Sequence, residues 1–291
     1  MPIRFDALPE LPFTLDDSFS LVTYDEAAAQ ALTVHAPNDG EAAYYHRQYP
    51  NAVAPNHVYL LGRHVGYLQE SDDLENLQEF VNATKGCFGL LYVMSLVYAD
   101  VLRRPSPPPA APVMIYRVDS TGQHKSCGYR WFGHDDSAAL VQMIVKNDFA
   151  PYESPKDTFR YVSAAFRDKP TRTAARWYFD SMTGAGGPLQ IVQTTVVLEI
   201  LLGDRAESDL MGLTSLLANR LAFLIGQSPD QRKRIIADFK RLYDLRSRIV
   251  HAGTADLGDE GHRALYDLQA YARQPSGVRS PSTPLADRRN C

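Results

Sequence analysis

The sequence has few cysteines, no signal-like start and no long apolar run. Three of its 291 residues are cysteine, which is too few for a disulfide framework and indicates a reducing compartment. The N-terminal segment MPIRFDALPELPF carries acids and prolines where a signal peptide has a basic start and an apolar stretch. The longest strongly apolar stretch, residues 86–99, is shorter than the ~20 residues that a membrane-spanning helix needs. We therefore expect a cytoplasmic protein that does not contact a membrane.

Several well-known catalytic motifs are also missing. The chain contains neither a Gly-x-Ser-x-Gly elbow nor a His-Glu-x-x-His segment. The glycine-rich loop 184–187 lacks the Lys-Ser/Thr pair of a phosphate-binding loop. The histidines other than His251 show no ligand-like spacing with cysteines or acids, so we predict no metal and no cofactor.

The overall composition is that of an ordinary globular protein. Hydrophobic residues make up 45% and charged residues 22% of the chain, which allows a core and excludes wholesale disorder or a coiled-coil rod. The net charge of -4 is unevenly divided. Residues 1–155 hold 10 Lys/Arg and 19 Asp/Glu, a charge of -9, whereas residues 156–291 hold 20 and 15, a charge of +5. The basic half indicates a module that faces a polyanion.

Residues 1–154 are predicted to form a mixed α/β region of unknown role. Strand-like runs occur at residues 57–61 and 113–118, and a helical stretch covers about residues 74–102. The proline-rich segment 105–112 cannot continue that helix, because it lacks backbone donors.

Residues 155–272 have helical periodicity, so the fold class is predicted to be mainly α, with an antiparallel helical bundle after the mixed region. We expect Ser208 or Asp209 to cap a helix that ends at Gly226, and Ser228 to cap the next helix, which ends before Gly253. The other helices are expected at residues 158–167, 171–182, 189–202 and 260–272. Residues 273–291 are expected to form a disordered tail.

One helix of this region carries an arginine on its apolar stripe. Ile235, Phe239, Leu242 and Ile249 follow a 4-3-7 spacing, and the missing member of that series is Arg246. An unpaired buried charge is very costly, so Arg246 must have a partner or face a cleft. His251 stands five residues later, about 140° away around an ideal helix.

The segment RLYDLRSRIVHAG, residues 241–253, resembles the signature of HEPN domains, specifically the Apea-like branch. The signature is an Arg-x4-His motif, here Arg246 and His251, with Ser247 directly after the arginine. Flanking segments are similar as well, and the resemblance covers about residues 155–272. These segments are ARWYFDS (175–181), VVLEILLG (196–203) and LLANRLAFLIG (216–226).

The resemblance implies a homodimer in which two Arg-x4-His motifs meet across a cleft. It further implies metal-independent cleavage of RNA, in a setting such as antiphage defence or a toxin–antitoxin system. Arg246 would bind the phosphate and stabilise the transition state, and His251 would act as general acid or base. The N-terminal region would sense a trigger, restrain the nuclease or position substrate, and an antitoxin or regulatory protein is a further expected partner.

Several other residues are candidates for supporting roles. Glu199 lies in an apolar stripe and is expected to pair with a cation, either Arg246 or Arg220. It lacks the lysine of a Glu-x3-Lys pattern, because Gly203 stands there, and a structural pairing is an open alternative. Ser247 and Tyr243 neighbour the motif. The basic residues predicted to contact RNA phosphates are Arg232, Lys233, Arg234 and Arg248, although they also fit a solvated helix face.

The alternative hypothesis is a non-catalytic HEPN module for dimerisation and for binding RNA, nucleotide or protein. Arg246 fully buried against Glu199 would favour this structural use of the motif. Exposed Arg246 and His251 side chains facing their symmetry mates would favour catalysis.

Overall fold

In the part of the chain that the structure describes, strands and one helix precede a long series of helices. The computed structural model describes residues 13–23, 58–62, 73–93, 97–99, 112–118, 124–131, 143–145, 155–183, 187–253 and 258–277. Within these ranges the helices are α1 (Asp73–Val93), α2 (Pro155–Arg167), α3 (Lys169–Thr183), α4 (Gly187–Leu202), α5 (Arg205–Met211), α6 (Leu213–Ile225), α7 (Pro229–Ala252) and α8 (Gly258–Gly277). The predicted mainly helical fold is confirmed.

Seven short strands form three antiparallel sheets in the described residues. The strands are β1 (Phe13–Thr14), β2 (Phe19–Thr23), β3 (Val58–Gly62), β4 (Val97–Ala99), β5 (Pro112–Val118), β6 (His124–Trp131) and β7 (Met143–Val145). β1, β2 and β3 form one sheet in that order, β4 pairs with β7, and β5 pairs with β6. The β5–β6 register shifts between Ile115 and Tyr116.

The chain divides into two compact units. The first comprises Met1–Thr84 and Ser95–Arg167, and the second comprises Lys85–Met94 and Asp168–Cys291. Helix α2 therefore belongs to the first unit, although the sequence analysis placed it at the beginning of the C-terminal region. Ser163 and Arg167 of α2 donate hydrogen bonds to the carbonyl of Leu15, at 2.9 and 3.1 Å, in the turn between β1 and β2.

In the second unit, the end of α1 packs very closely on α3. A Cβ atom added at Gly89 would lie 2.0 Å from the carbonyl oxygen of Ala175, so only glycine permits this approach. Lys85 forms an ion pair with Asp180 at 3.0 Å beside this contact. Gly89 and Lys85 thus hold the end of α1 against α3.

The helices that follow pack on one another around a continuous apolar core. α4 contacts α3, α6, α7 and α8, which makes it the central helix of this unit. Leu198 of α4, Leu217 of α6, Phe239 of α7 and Leu268 of α8 are completely buried. Whether this packing is the HEPN arrangement stays a prediction.

The predicted ends of α7 are confirmed. The Ser228 hydroxyl accepts a hydrogen bond from the backbone N–H of Gln231 at 3.2 Å, and the Gln231 side chain accepts one from Gln227 N–H at 2.8 Å. Pro229 occupies the first turn, where its missing N–H costs nothing. Gly253 ends the helix in the left-handed region, with φ of 64°.

The prediction of a single helix between Ser208 and Gly226 is wrong. The structure has two helices there, because Gly212 adopts φ of 81° and interrupts the helix. The cap of the first is Asp204, whose side chain accepts from Glu207 N–H at 3.2 Å. Ser208 lies inside that helix, and its carbonyl accepts from Gly212 N–H.

Two other boundaries also differ from the prediction. The helix expected over residues 74–102 ends at Val93, since residues 97–99 pair with β7, a partner distant in sequence. The helix expected over residues 260–272 begins at Gly258 and extends through Gly277. The rest of the expected tail, residues 278–291, lies outside the described residues, as does the proline-rich segment before Pro112. Among the described helices, none is long and apolar enough to cross a bilayer.

Candidate functional site

Arg246 lies on the buried side of α7. The preceding members of its series, Ile235, Phe239 and Leu242, are 5%, 0% and 2% exposed. The Arg246 side chain is 22% exposed, so its charge is partly removed from water. The sequence spacing correctly placed this guanidinium on the packing side of the helix.

Glu199 of α4 is the partner of Arg246. Glu199 Oε1 lies 3.6 Å from Arg246 Nη2, and the Glu199 side chain is 23% exposed. The same oxygen accepts a hydrogen bond from the Tyr243 hydroxyl at 2.8 Å. One carboxylate oxygen therefore joins two residues of α7 to α4. Of the two cations predicted for Glu199, Arg246 is the one that pairs with it.

The ring of Tyr243 completes this cluster. The Arg246 guanidinium carbon lies 5.6 Å from the centroid of the Tyr243 ring, within the range of a cation–π contact. Burial, together with the hydrogen bond to Glu199 and its negative charge, raises the pKa of Tyr243 to about 12, and the Arg246 charge opposes this. Tyr243 is therefore a protonated donor near neutral pH.

The contacts to Glu199 do not use all the donors of Arg246. The Nη2–Oε1 distance of 3.6 Å is longer than a good hydrogen bond. Arg246 Nε is buried and has no hydrogen-bond partner among the described residues. A guanidinium has five donors in a planar fork, so this one retains the capacity to bind an oxyanion.

His251 lies on another face of α7. It is exposed, in the last turn of the helix. At about 100° per residue it stands about 140° from Arg246 around the helix axis. Ser247 is half-buried and lies between the two faces. The structure thus brings Arg246 together with Glu199 and Tyr243, but it does not bring His251 to them within one chain.

Arg220 has a separate structural role. Its Nη1 donates to the carbonyl of Leu202 at 2.7 Å, and its Nη2 pairs with Glu207 at 2.9 Å. These contacts satisfy an orphan carbonyl at the end of α4 and hold the beginning of α5. Arg220 is therefore engaged at the break between these helices.

The four predicted RNA-binding residues fall into two groups. Lys233, Arg234 and Arg248 are exposed on α7. Arg232 instead donates from Nε to the carbonyl of Gly226 at 3.1 Å, and its guanidinium carbon lies 4.9 Å from the centroid of the Phe223 ring. Arg232 therefore stabilises the turn between α6 and α7.

No family model, curated protein or solved structure matches the chain. The resemblance to HEPN domains rests on residues 241–253 and the segments around them. Among the described residues, no group of three or more His, Cys, Asp or Glu side chains is placed to hold a metal ion.

The partly buried pair of Glu199 and Arg246 is expected to stabilise the fold. Glu199→Gln removes the charge that compensates Arg246, and we expect the free energy of unfolding to fall by about 1–2 kcal/mol. The matched control is Glu207→Gln, which weakens the pair with Arg220. Because the Glu207 side chain is 50% exposed, the control is expected to cost less than about 1 kcal/mol. Urea unfolding measures both; an equal loss in the two variants would contradict a special role for Glu199.

The raised pKa of Tyr243 predicts a pH dependence of stability. The folded protein holds this proton more tightly than the unfolded chain, in which tyrosine titrates near its model value of 10.0. The stabilisation is therefore complete below pH 10 and is lost as the pH rises to about 12. Unfolding of wild type and Tyr243→Phe across this window measures it. We expect their difference in stability to shrink as the pH rises, and a constant difference would show that the pKa is ordinary.

Proposed function

We propose that the second unit is an HEPN-type helical domain that cleaves RNA as a dimer without a metal ion. The observation that carries this proposal is the state of Arg246, a half-satisfied guanidinium held beside Tyr243 and Glu199. The 3.6 Å ion pair leaves donors of the Nη atoms free to bind a phosphate, and the 22% exposure of the side chain leaves the guanidinium partly accessible.

Arg246 has the role of phosphate ligand in this proposal. Its fork geometry matches two oxygens of a phosphodiester, and its charge offsets the negative charge that develops on the pentacoordinate phosphorus. The Tyr243 ring and the Glu199 carboxylate fix the position of the guanidinium. They act as positioning residues, because neither one contacts the reacting atoms.

His251 supplies proton transfer. A neutral imidazole accepts the proton of the RNA 2′-hydroxyl while that oxygen attacks the adjacent phosphorus. The bond from phosphorus to the 5′-oxygen breaks, and the imidazole, now protonated, donates the proton to that oxygen. The products are a 2′,3′-cyclic phosphate and a 5′-hydroxyl, so atoms and charge balance without a cofactor.

The angle between Arg246 and His251 favours a composite site. Since the two side chains leave α7 about 140° apart, one phosphate is reached more readily by Arg246 of one chain and the partner subunit's His251. An antiphage or toxin–antitoxin setting in the cytoplasm, with a regulatory partner, belongs to the same proposal.

A second function is favoured by a specific contact. Glu199 already neutralises Arg246 in part, and this contact joins α4 to α7. A non-catalytic module that dimerises and binds RNA, nucleotide or protein would use the motif in this structural way.

The nuclease proposal is tested with purified full-length protein, a mixed RNA pool and excess chelator. We expect wild type to cleave the pool and to leave cyclic-phosphate ends. His251→Ala is expected to lose about 10²–10⁴-fold in rate, as removal of a general acid–base does. Arg246→Ala is expected to lose about 10²–10³-fold, as loss of a transition-state donor does.

His262→Ala and Arg263→Ala are the matched controls, because both residues are exposed on α8. Both controls are expected to cleave like wild type. Equal cleavage by all variants would place the activity elsewhere. A folded wild-type dimer that binds RNA without cutting it would support the non-catalytic module instead.

The composite site is tested by mixing two inactive variants. If Arg246 and His251 act from different chains, a heterodimer of Arg246→Ala and His251→Ala contains one intact site. After subunit exchange at equal amounts, about one quarter of the wild-type activity is expected. Activity that stays at the level of the separate variants in a verified heterodimer would show that both residues act from one chain.

A further inference from the structure

The outward face of α7 carries a regular pattern of cations. Arg234, Arg241 and Arg248 recur every seven residues, and so do Lys233 and Lys240. All five are exposed. Seven residues are nearly two helical turns, or about 10.5 Å along the axis, so each set forms a row. We call these five residues the basic face of α7.

His251 lies at the end of this face. Lys233 precedes it by 18 residues, five full turns, so the two stand almost in line about 27 Å apart. Lys240 is about 20° and Arg248 about 60° from His251 around the axis. The basic face therefore leads along the helix to the candidate general acid–base.

Within the part of the chain that the structure describes, few contacts neutralise the basic face. Arg241 pairs with Asp238 at 3.2 Å, and Asp238 also receives a hydrogen bond from Tyr271 of α8. Among the described residues, the other four cations form no ion pair. Asp230 and Asp244 are the exposed acids of α7, and Asp244 lies on the basic face, two turns before His251. The face thus carries an excess of positive charge in solvent.

The chemistry of the face fits a phosphate backbone better than a protein. Protein interfaces depend on buried aromatic or apolar anchors. The one large apolar side chain that α7 exposes is Val250, at 48%, and it lies about 100° from His251, off the basic face. Long cationic side chains in rows match the repeating negative charge of a nucleic-acid strand.

We propose that the basic face of α7 binds the phosphate backbone of an RNA strand and guides it towards His251. The choice of RNA among nucleic acids rests on the proposed function. The inference adds Lys240 and Arg241 to the predicted RNA-binding residues and removes Arg232, whose guanidinium holds Gly226 and Phe223. Asp244 lies on the basic face, and its negative charge weakens the attraction between this face and the RNA phosphates.

The test measures binding separately from cleavage. The probe is a short fluorescent 2′-O-methyl RNA, which lacks the attacking hydroxyl, and the full chain is titrated at several salt concentrations. For a single strand, each phosphate contact contributes about 0.7 to the slope of log affinity against log salt. Lys233→Gln/Lys240→Gln is therefore expected to lower that slope by more than 1 and to weaken binding about tenfold at low salt.

A control double variant removes the same charge elsewhere. Lys169→Gln/Arg263→Gln changes two exposed cations on α3 and α8, and its slope is expected to stay near that of wild type. Asp244→Asn is expected to bind more tightly than wild type, because it removes the acid from the face. This gain of affinity cannot result from misfolding.

Three results would overturn the inference. The first is an equal loss of RNA affinity in the two double variants, and the second is no RNA binding by wild type. The third is binding of a poly-glutamate peptide that is as tight as RNA binding and depends on the basic face, which would indicate an acidic protein partner. The inference and the nuclease proposal can fail separately. If RNA binds through the basic face but is not cleaved, the inference stands and the nuclease proposal fails. If the protein cleaves RNA but Lys233→Gln/Lys240→Gln leaves the salt slope unchanged, the nuclease proposal stands and the inference fails.

Discussion

The helical unit depends on how one charge, that of Arg246, is accommodated between two helices. Arg246 occupies a position of α7 where the spacing of Ile235, Phe239 and Leu242 calls for an apolar side chain. Glu199 of α4 makes this placement tolerable by offering one oxygen to both the guanidinium and the Tyr243 hydroxyl. A partly buried charge is costly when it loses its partner, so α4 and α7 are tied in register at this point.

The same arrangement explains why the position is suited to function. An apolar residue would pack there at lower cost, and a fully satisfied ion pair would have no donors to spare. The contact observed is neither of these, because the pair is 3.6 Å long and the Arg246 side chain is still 22% exposed. The Arg246 side chain is thus neither fully buried against Glu199 nor fully exposed. Arg246 is partly buried against Glu199, whereas His251 is exposed.

The two sides of α7 have different roles. Its inner side holds Arg246 against α4, and its outer side carries rows of cations that end at His251. Arg232 resembles the outer cations in sequence, yet it folds back onto Phe223 and the carbonyl of Gly226. Cationic residues of the same helix thus have different roles, which depend on their angle around the helix axis and on the loop beside them.

Features that depend on local chemistry follow from the sequence alone. Ser228, Pro229 and Gly253 set the ends of α7, and the spacing of its apolar residues placed Arg246 on the packing side. Capping and helical periodicity act over a few residues, so they can be read from the sequence. The choice between Arg246 and Arg220 as partner of Glu199, by contrast, was decided only when α4 packed against α7.

Tertiary structure also decided where elements end. Val97–Ala99 leaves the expected helix because β7, far along the chain, supplies its hydrogen-bond partners. Gly212 divides a helix that periodicity alone would continue, since its φ of 81° and ψ of 137° lie outside the helical region. The helix propensities of most residue types differ by less than about 1 kcal/mol per residue, so contacts with distant parts of the chain can outweigh them. The end of α1, the strand partners and the pairing of charges therefore depended on the folded chain.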